Sequence, residues 1–521
     1  MIERWIIELA EYGRKKEFFP QEDFVYIINR LLEVLQIDNF SMDKIDKNLG
    51  DEEWNLQEIL HGILNWAAEM GVIEEDTPTH RDLLDAKLMG AMLPRPSQII
   101  RRFEENYQLS PIKATKEYYR FSIDGNYIRK DRTDKNRHWV TSTEYGEMEI
   151  TINLSKPEKD PKTIEKERNY GVSGYPKCLL CRENEGYAGR INHPARQNLR
   201  LIPLTLGGEP WFFQYSPYLY YNEHSIIFSK AHRPMKITRE TFRRMLDFVD
   251  QFPHYFIGSN ADLPIVGGSI LSHDHYQGGC YRFPMEKAPI TKSFINLEHG
   301  DVGAYWVRWP LSVIRLKSKN KEGLIRCGNE MLKAWKIYED QELDIISRTG
   351  DTPHNTITPI VRKNKGEYQL DMVLRNNRTS KKYPEGIFHP HREIHGVKKE
   401  NIGLIEVMGL AVLPPRLKKE MEIIMKLLEG RALEEKEMED MIKHEDMIQE
   451  LENEWKALLK EDPMDTRILK KAIEDAIGKR FTKGLEHGGV FKNTKEGQDG
   501  FYRLMNLLGW KEGVFDENTN E

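Results

Sequence analysis

Apolar residues recur at helical spacing through the first hundred positions, with Ile2, Trp5, Ile6 and Leu9 forming one stripe and Phe24, Ile28, Leu31 and Leu35 another. That spacing predicts a helical layer, punctuated by Pro94, Pro96 and Pro111. From Tyr118 onward the pattern shortens. Residues 118–123, the alternating Ile150, Ile152 and Leu154, residues 211–215 and residues 226–228 predict strands. Residues 156–168, with Pro157 and Pro161 among many charges, read as a solvated connector. A second group of strands is expected at 368–375 and 402–413. Beyond Pro414 and Pro415 the helical period returns, with Leu451, Trp455, Leu458 and Leu459 on one apolar face. The break at Pro463 favours a helical cap over a coiled coil.

The pattern therefore describes an α+β protein whose mixed sheet core lies between helical N-terminal and C-terminal extensions. At 521 residues it is too long for one ordinary core, so two or three structural units are expected. Composition changes this little: 39% hydrophobic and 31% charged residues are those of a globular chain. Charge narrows the partners. A net charge of −6 with both signs interspersed lacks the basic stripe of a nucleic-acid binder, so a small molecule is the expected partner. Met1 to Trp5 lack the order of a signal peptide and no stretch reaches the length of a membrane span, which gives a cytoplasmic expectation with no membrane partner. A homodimer is common for enzymes of this size, though no sequence feature demonstrates one.

The chemistry concentrates in residues 262–279, which read DLPIVGGSILSHDHYQGG. If the end of this run is extended, His273, His275 and Gln277 share one face. An imidazole with one nitrogen held as a donor and the other free is a good nucleophile toward phosphorus. Gln277 can donate an N–H to a phosphoryl oxygen but cannot shuttle protons, which favours transfer over hydrolysis. Backbone N–H groups around Gly267, Gly268 and Ser269 suit phosphate oxygens, because the missing side chains permit close approach. An isolated His-x-His more often decorates a sheet or binds a metal; here the flanking glycines, Asp274 and Gln277 argue against chance.

Four cysteines occur, Cys178, Cys181, Cys280 and Cys327. Cys178 and Cys181 have the C-x2-C spacing of half a zinc site. A thioredoxin-like redox motif lacks its βαβ setting here, and ordinary thiols are the plain alternative.

Residues 262–279 resemble the active-site signature of the second family of galactose-1-phosphate uridylyltransferases. The similarity continues through 149–160, 177–186, 193–198 and 399–409, and so covers nearly the whole chain. The resemblance implies two histidine-triad-like halves and a double displacement, in which UDP-glucose gives UMP to a histidine and galactose 1-phosphate collects it. It casts His275 as nucleophile, Gln277 as holder of the uridylyl phosphate, and Gly268, Ser269 and Ser272 as phosphate contacts. Arg375, Asn376 and Glu406 become candidate sugar-phosphate contacts; a buried carboxylate at 406 would discriminate sugar hydroxyls. His232 and His273 match the remaining zinc ligands of the family's first branch, with His224 close enough to compete with His232. That closed Cys2His2 site would be structural, fixing His275 from behind. His389-Pro390-His391 superficially copies a further metal pair, but an alternative alignment puts Asp371 and Val373 there. His354, His389, His391 and His395 are left between the sugar-phosphate pocket and a surface loop.

The expected boundaries are a helical region at 1–115, a catalytic histidine-triad-like half with the zinc site at 116–300, a second half at 301–415 and a helical region at 416–521. Two other readings stand beside transfer: a histidine-triad-type nucleotide hydrolase or phosphorylase, and a zinc-stabilised nucleotide-binding protein without catalysis.

Overall fold

The structure is a computed structural model that describes residues 2–41, 54–154, 173–268, 270–458 and 466–515, with side chains omitted for 454–458. Ser269, the connector at 156–168, Leu459 and Pro463, and the side chains of Trp455 and Leu458 lie outside the described residues.

Helices Ile2–Lys15, Phe24–Leu35, Leu56–Glu69 and Pro78–Met92 enclose a core of their own around Ile6, Leu9, Ile28, Leu31 and Ile63. Pro78, Pro96 and Pro111 each open a helix, at the position where a missing N–H is not needed. This corrects one expectation. Residues 118–123 belong to the helix Pro111–Asp124, which runs past residue 115 and buries Ala114, Tyr118 and Ser122 along one face. The aromatic and β-branched residues there favour a strand only weakly, and the four-residue repeat of buried positions prevails.

The strands follow in chain order: β1 Arg137–Thr143, β2 Gly146–Ile152, β3 Ile202–Leu206, β4 Glu209–Tyr215, β5 Ser225–Ser229, β6 Phe256–Gly258, β7 His275–Gly279, β8 Ile290–Ile295, β9 Gly303–Val307 and β10 Val313–Ser318. After a short hairpin of β11 Arg348–Thr349 and β12 Thr352–Pro353 come β13 Asn355–Asn364, β14 Glu367–Asn376, β15 Leu410–Leu413 and β16 Lys511–Glu512. The run expected as strand at 402–413 is a strand only at its end, because a one-turn helix, Leu404–Val407, precedes β15. The Glu406 carboxylate takes the Gly403 N–H and starts that turn.

Eleven strands form one sheet in the order β16-β8-β9-β10-β14-β13-β6-β7-β5-β4-β3. The order contains a repeat that the sequence does not display. β3-β4-β5 is a meander, the helix Arg239–Gln251 follows, and the hairpin β6-β7 returns with β7 against β5. In the same way β8-β9-β10 is a meander, the helix Lys321–Ile337 follows, and β13-β14 returns with β14 against β10. The two units join edge to edge where β13 meets β6, antiparallel, through Ile360 opposite Gly258.

Successive strand residues alternate between two cores, as the pleat requires. Ile314, Val361 and Leu374 face the core shared with Phe242 and Trp335 of the two crossover helices, while their neighbours Val313, Ile360 and Val373 face the other. That second core is closed by the small sheet β1-β2-β15 and by helices Arg416–Leu428 and Thr466–Gly488. Leu451, on the helix Glu445–Leu458, is buried in it, as expected of a helical cap. No helix among the described residues is long and apolar enough to cross a membrane.

The units differ in what they bury. β14 has no histidine; instead Asp371, fully buried, takes a two-pronged ion pair from Arg315 and another from Arg362 at 2.7 Å. Burial pushes this carboxyl up, but the two guanidiniums outweigh it and hold it at about 2. The depressed value makes the linked stability fully present above about pH 4 and lost as pH falls toward 2. Asp371→Ala leaves Arg315 with the Met285 and Glu286 carbonyls and Arg362 with Glu286 at 3.5 Å, and is expected to cost about 3–5 kcal/mol, read as a fall in the thermal midpoint at neutral pH.

Candidate active site and metal centre

β7 is flanked by β5 and β6, with His275 opposite Phe228, and Gln277 between Ile226 and Gly258. Alternation therefore puts His275 and Gln277 on one face. His273 is not part of that row, contrary to the extended reading: the strand begins two residues later, and the His273 ring turns to the cysteine pair.

The His275 side chain is almost completely buried, and its Nδ1 lies 2.8 Å from the His273 carbonyl oxygen. A carbonyl only accepts, so Nδ1 carries the proton and Nε2 keeps its lone pair. Burial pulls the imidazole down to about 4, ahead of the raising effect of the carbonyl bond, so the ring is neutral at physiological pH. These are the two requirements of a nitrogen nucleophile. Asp274 faces away, salt-bridged to Arg233 at 3.2 Å and to Arg244 at 3.7 Å.

Cys178, Cys181, His232 and His273 bring four ligand atoms within 4.8 Å of one another. The sulfurs are 3.5 Å apart; His273 Nδ1 lies 3.2 Å from Cys178 Sγ, and His232 Nδ1 lies 3.1 Å from Cys181 Sγ. Bond lengths of about 2.3 Å to sulfur and 2.0 Å to nitrogen around a tetrahedral ion call for ligand separations of roughly 3.3–3.8 Å, close to these values. The tautomer fits as well. His273 Nε2 donates to the Ser229 carbonyl at 2.8 Å, which frees Nδ1 as a ligand. Burial, then the neighbouring sulfur, pushes the Cys181 thiol up to about 12, and a cation bound by both sulfurs would reverse that. The donor set therefore fits a metal ion.

His224, which competed with His232 for the metal on sequence grounds, lies elsewhere: its Nε2 is 3.1 Å from Gln277 Oε1. Of the two glycines before β7, Gly267 packs against the Leu263 and Ala261 carbonyls and Gly268 against Asn260, a residue the sequence reading passed over. A side chain on Gly268 would stand 2.4 Å from the Asn260 amide nitrogen. Asn260 Oδ1 in turn accepts the Leu404 N–H at 2.9 Å, and Leu404 lies over Gly258, where a Cβ would come within 2.7 Å of it. So the turn carrying Glu406 is fastened beside β7. Ser272 is exposed in the preceding turn.

Arg375, Glu406 and Lys398 are all buried in this region. Lys398 Nζ is 2.7 Å from Glu406 Oε1, and Arg375 donates to the Ile402 carbonyl at 3.2 Å while its Nε has no hydrogen-bond partner among the described residues. Burial draws Arg375 down to about 10 against the pull of Glu406. Asn376 bonds Asn355 at 2.7 Å and the Ile346 carbonyl at 3.0 Å. Lys398 was missed because nothing in its local sequence separates it from the neighbouring surface lysines. A further cavity of about 390 Å³ is lined by Arg190, Arg196, Tyr127 and Tyr218, by Leu179 of the cysteine loop and by Asp82, which pairs with Arg129 and Arg132.

The other histidines separate. His354 fastens a loop through Thr349 and Asn377, each at 2.8 Å. His389 reaches Asn401 at 3.3 Å, and His395 meets the Pro390 carbonyl at 3.0 Å. His391, Glu393 and His487 also bring ligand atoms together, but the two imidazoles stack at 4.1 Å and 20°, so their in-plane lone pairs do not converge on one ion. His487 Nδ1 moreover accepts the His391 backbone N–H at 3.2 Å, leaving its proton on Nε2, toward Glu393.

Comparison with known proteins agrees along the chain. The family model for the galactose-1-phosphate uridyl transferase N-terminal domain matches residues 32–234, and that for the C-terminal domain matches 248–445. A galactose-1-phosphate uridylyltransferase of Halalkalibacterium halodurans is 53% identical over 96% of this chain and 97% of its own length; one from Clostridium acetobutylicum is 50% identical over 98% and 100%. Among solved structures, yeast Ap4A phosphorylase Apa2 aligns at 10% identity over 57% of this chain and 88% of that one, with a TM-score of 0.30, too low to argue from. Matched at this identity over nearly all of its length, the chain belongs to the galactose-1-phosphate uridylyltransferase family.

Proposed function

We propose that this chain moves UMP from UDP-glucose to galactose 1-phosphate through a uridylyl group carried on His275 Nε2. The reading is carried by the His275 Nδ1 bond to the His273 carbonyl, which leaves a neutral ring with one nitrogen free to attack. In the first half-reaction Nε2 attacks the α-phosphorus, a P–N bond forms, the bond from that phosphorus to the bridging oxygen breaks, and glucose 1-phosphate leaves with the electron pair. In the second, a phosphate oxygen of galactose 1-phosphate attacks the same phosphorus, the P–N bond breaks, and the ring returns to its neutral form as UDP-galactose departs. Gln277 donates N–H to the phosphoryl oxygens throughout. Its amide cannot act as a general base toward an attacking water, so the intermediate waits for the second sugar phosphate.

Arg375 and Glu406 face the sugar phosphate, with Asn376 bracing the strand end behind Arg375; Gly268 and Ser272 serve the phosphates from the segment before β7, and Ser269, outside the described residues, stays a candidate on sequence grounds. Zinc is the ion the Cys2His2 set would hold, as a structural tie between the cysteine loop and His273. The two meander-helix-hairpin units, β3 to β7 and β8 to β14, serve as the histidine-triad-like halves expected at 116–300 and 301–415, with the chemistry on the first and the division between them falling before β8 at residue 290. Incubation with UDP-glucose alone, followed by peptide mass spectrometry, is expected to find one UMP on the peptide containing His275, released by galactose 1-phosphate and not by water. A protein that exchanges UMP without ever carrying it would refute the mechanism.

A further inference from the structure

We propose that His224 is a positioning residue, which holds the Gln277 amide with its oxygen turned back and its NH2 toward the phosphoryl site beside His275. The proposal rests on the uridylyl transfer set out above. An amide side chain offers a donor at one end and an acceptor at the other, with nearly the same shape either way round. Only the NH2 end assists a phosphoryl oxygen; the other would repel it. Something must therefore choose.

His224 stands immediately before β5, which pairs with β7 through Ile226 opposite Gln277. It is 2% exposed, with the Tyr221 ring at 4.4 Å and the Tyr220 ring at 5.4 Å. Its Nε2 is 3.1 Å from Gln277 Oε1, and its Nδ1 is buried with no hydrogen-bond partner among the described residues. Two neutral tautomers are open to such a ring. A proton on Nδ1 would bury an unmatched N–H and would also turn Nε2 into an acceptor facing an acceptor. A proton on Nε2 leaves only an unmatched lone pair and makes a sound bond to Oε1, so the second form is favoured. Burial pulls the ring down to about 3, which removes the doubly protonated form at neutral pH. Packing between tyrosines alone would be served as well by phenylalanine, without an unmatched nitrogen.

The residue is itself firmly placed. The Ser216 N–H bonds the His224 carbonyl at 2.8 Å, and Glu223 adopts a left-handed φ of 54°. That conformation is held by the buried Glu223 carboxylate, which takes the Tyr255 hydroxyl; Tyr255 meets Tyr215 at 3.0 Å, and Tyr215 donates to the Thr115 carbonyl at 2.8 Å.

His224→Phe keeps the ring and removes the N–H. Its kcat for UMP exchange is expected to fall about tenfold to thirtyfold, with both KM values within about twofold of wild type. His224→Gln, which can place an N–H where Nε2 was, should recover most of the loss. Because His224 acts through Gln277, adding His224→Phe to Gln277→Ala should lower kcat by less than about twofold. A wild-type kcat in His224→Phe, no recovery in His224→Gln, or an equal loss in the Gln277→Ala background would each overturn the role. Should His224→Phe not fold, His224→Asn, too short to reach Gln277, replaces it in the same cycle with the same criteria. Failure of the wild-type protein itself to exchange UMP would instead defeat the underlying functional reading.

Discussion

His275→Asn is expected to abolish UMP exchange, with a loss on the order of 10⁴- to 10⁶-fold, while the protein melts within a few degrees of wild type. The two halves of this expectation have separate causes. Asparagine carries an amide N–H that can take over the bond from Nδ1 to the His273 carbonyl, so the start of β7 keeps its partner. It has no nitrogen lone pair with which to attack phosphorus, because that of an amide is delocalised into its carbonyl. His275→Gly should be as inactive and less stable, since it leaves a hole at a buried position. Exchange assays with both sugar phosphates, alongside thermal melts, separate the causes. Residual exchange above about one percent of wild type in a folded His275→Asn protein would end the covalent assignment.

Much of this site is legible in the sequence, because its key residues fall within one run. His275 and Gln277 lie two apart on a short extended segment, and the period of a strand is enough to bring them together. The cysteine pair carries its own spacing. What completes both sets comes from other parts of the fold. His232 sits after β5 and His224 before it, only eight positions apart in sequence; each is a histidine near a strand end, yet one meets Cys181 and the other Gln277. Only the pairing of β5 with β7 decides which end faces which site.

The repeat was hidden for a similar reason. A meander followed by a helix and a hairpin is a matter of which strands pair, and strand pairing leaves little mark on local sequence. The second unit also fills the place of catalytic chemistry with the Arg315–Asp371–Arg362 cluster, so even the informative residues differ between the units. The misread helix at 118–123 had a legible signal in Pro111, which follows Ser110 in the manner of a helix start. The aromatic residues Tyr118, Tyr119 and Phe121 favour a strand only weakly, and the helix start outweighs them.

Cys178→Ser is expected to strip the bound metal and lower stability by about 3–5 kcal/mol, a fall in the thermal midpoint of roughly 10 °C. A serine hydroxyl stays protonated where a thiolate would bind, so one of four donors is lost from a set whose separations suit a single ion. The damage should then reach the chemistry by a short route. The metal would fix the His273 ring, the His273 carbonyl orients His275 through Nδ1, and the Nε2 lone pair points where that bond allows. A chelator should accordingly destabilise the wild-type protein and leave Cys178→Ser unchanged, while Cys280→Ser, whose sulfur is not among the four ligand atoms, keeps full metal content and the wild-type melting curve. Elemental analysis of the purified proteins supplies the stoichiometry, with zinc expected at one per chain in the wild type. If the wild-type protein holds no metal and melts alike with and without chelator, then the four side chains are a hydrogen-bonded cluster of thiols and imidazoles, and His275 owes its orientation to the β5–β7 pairing and to a His273 held through the Ser229 carbonyl.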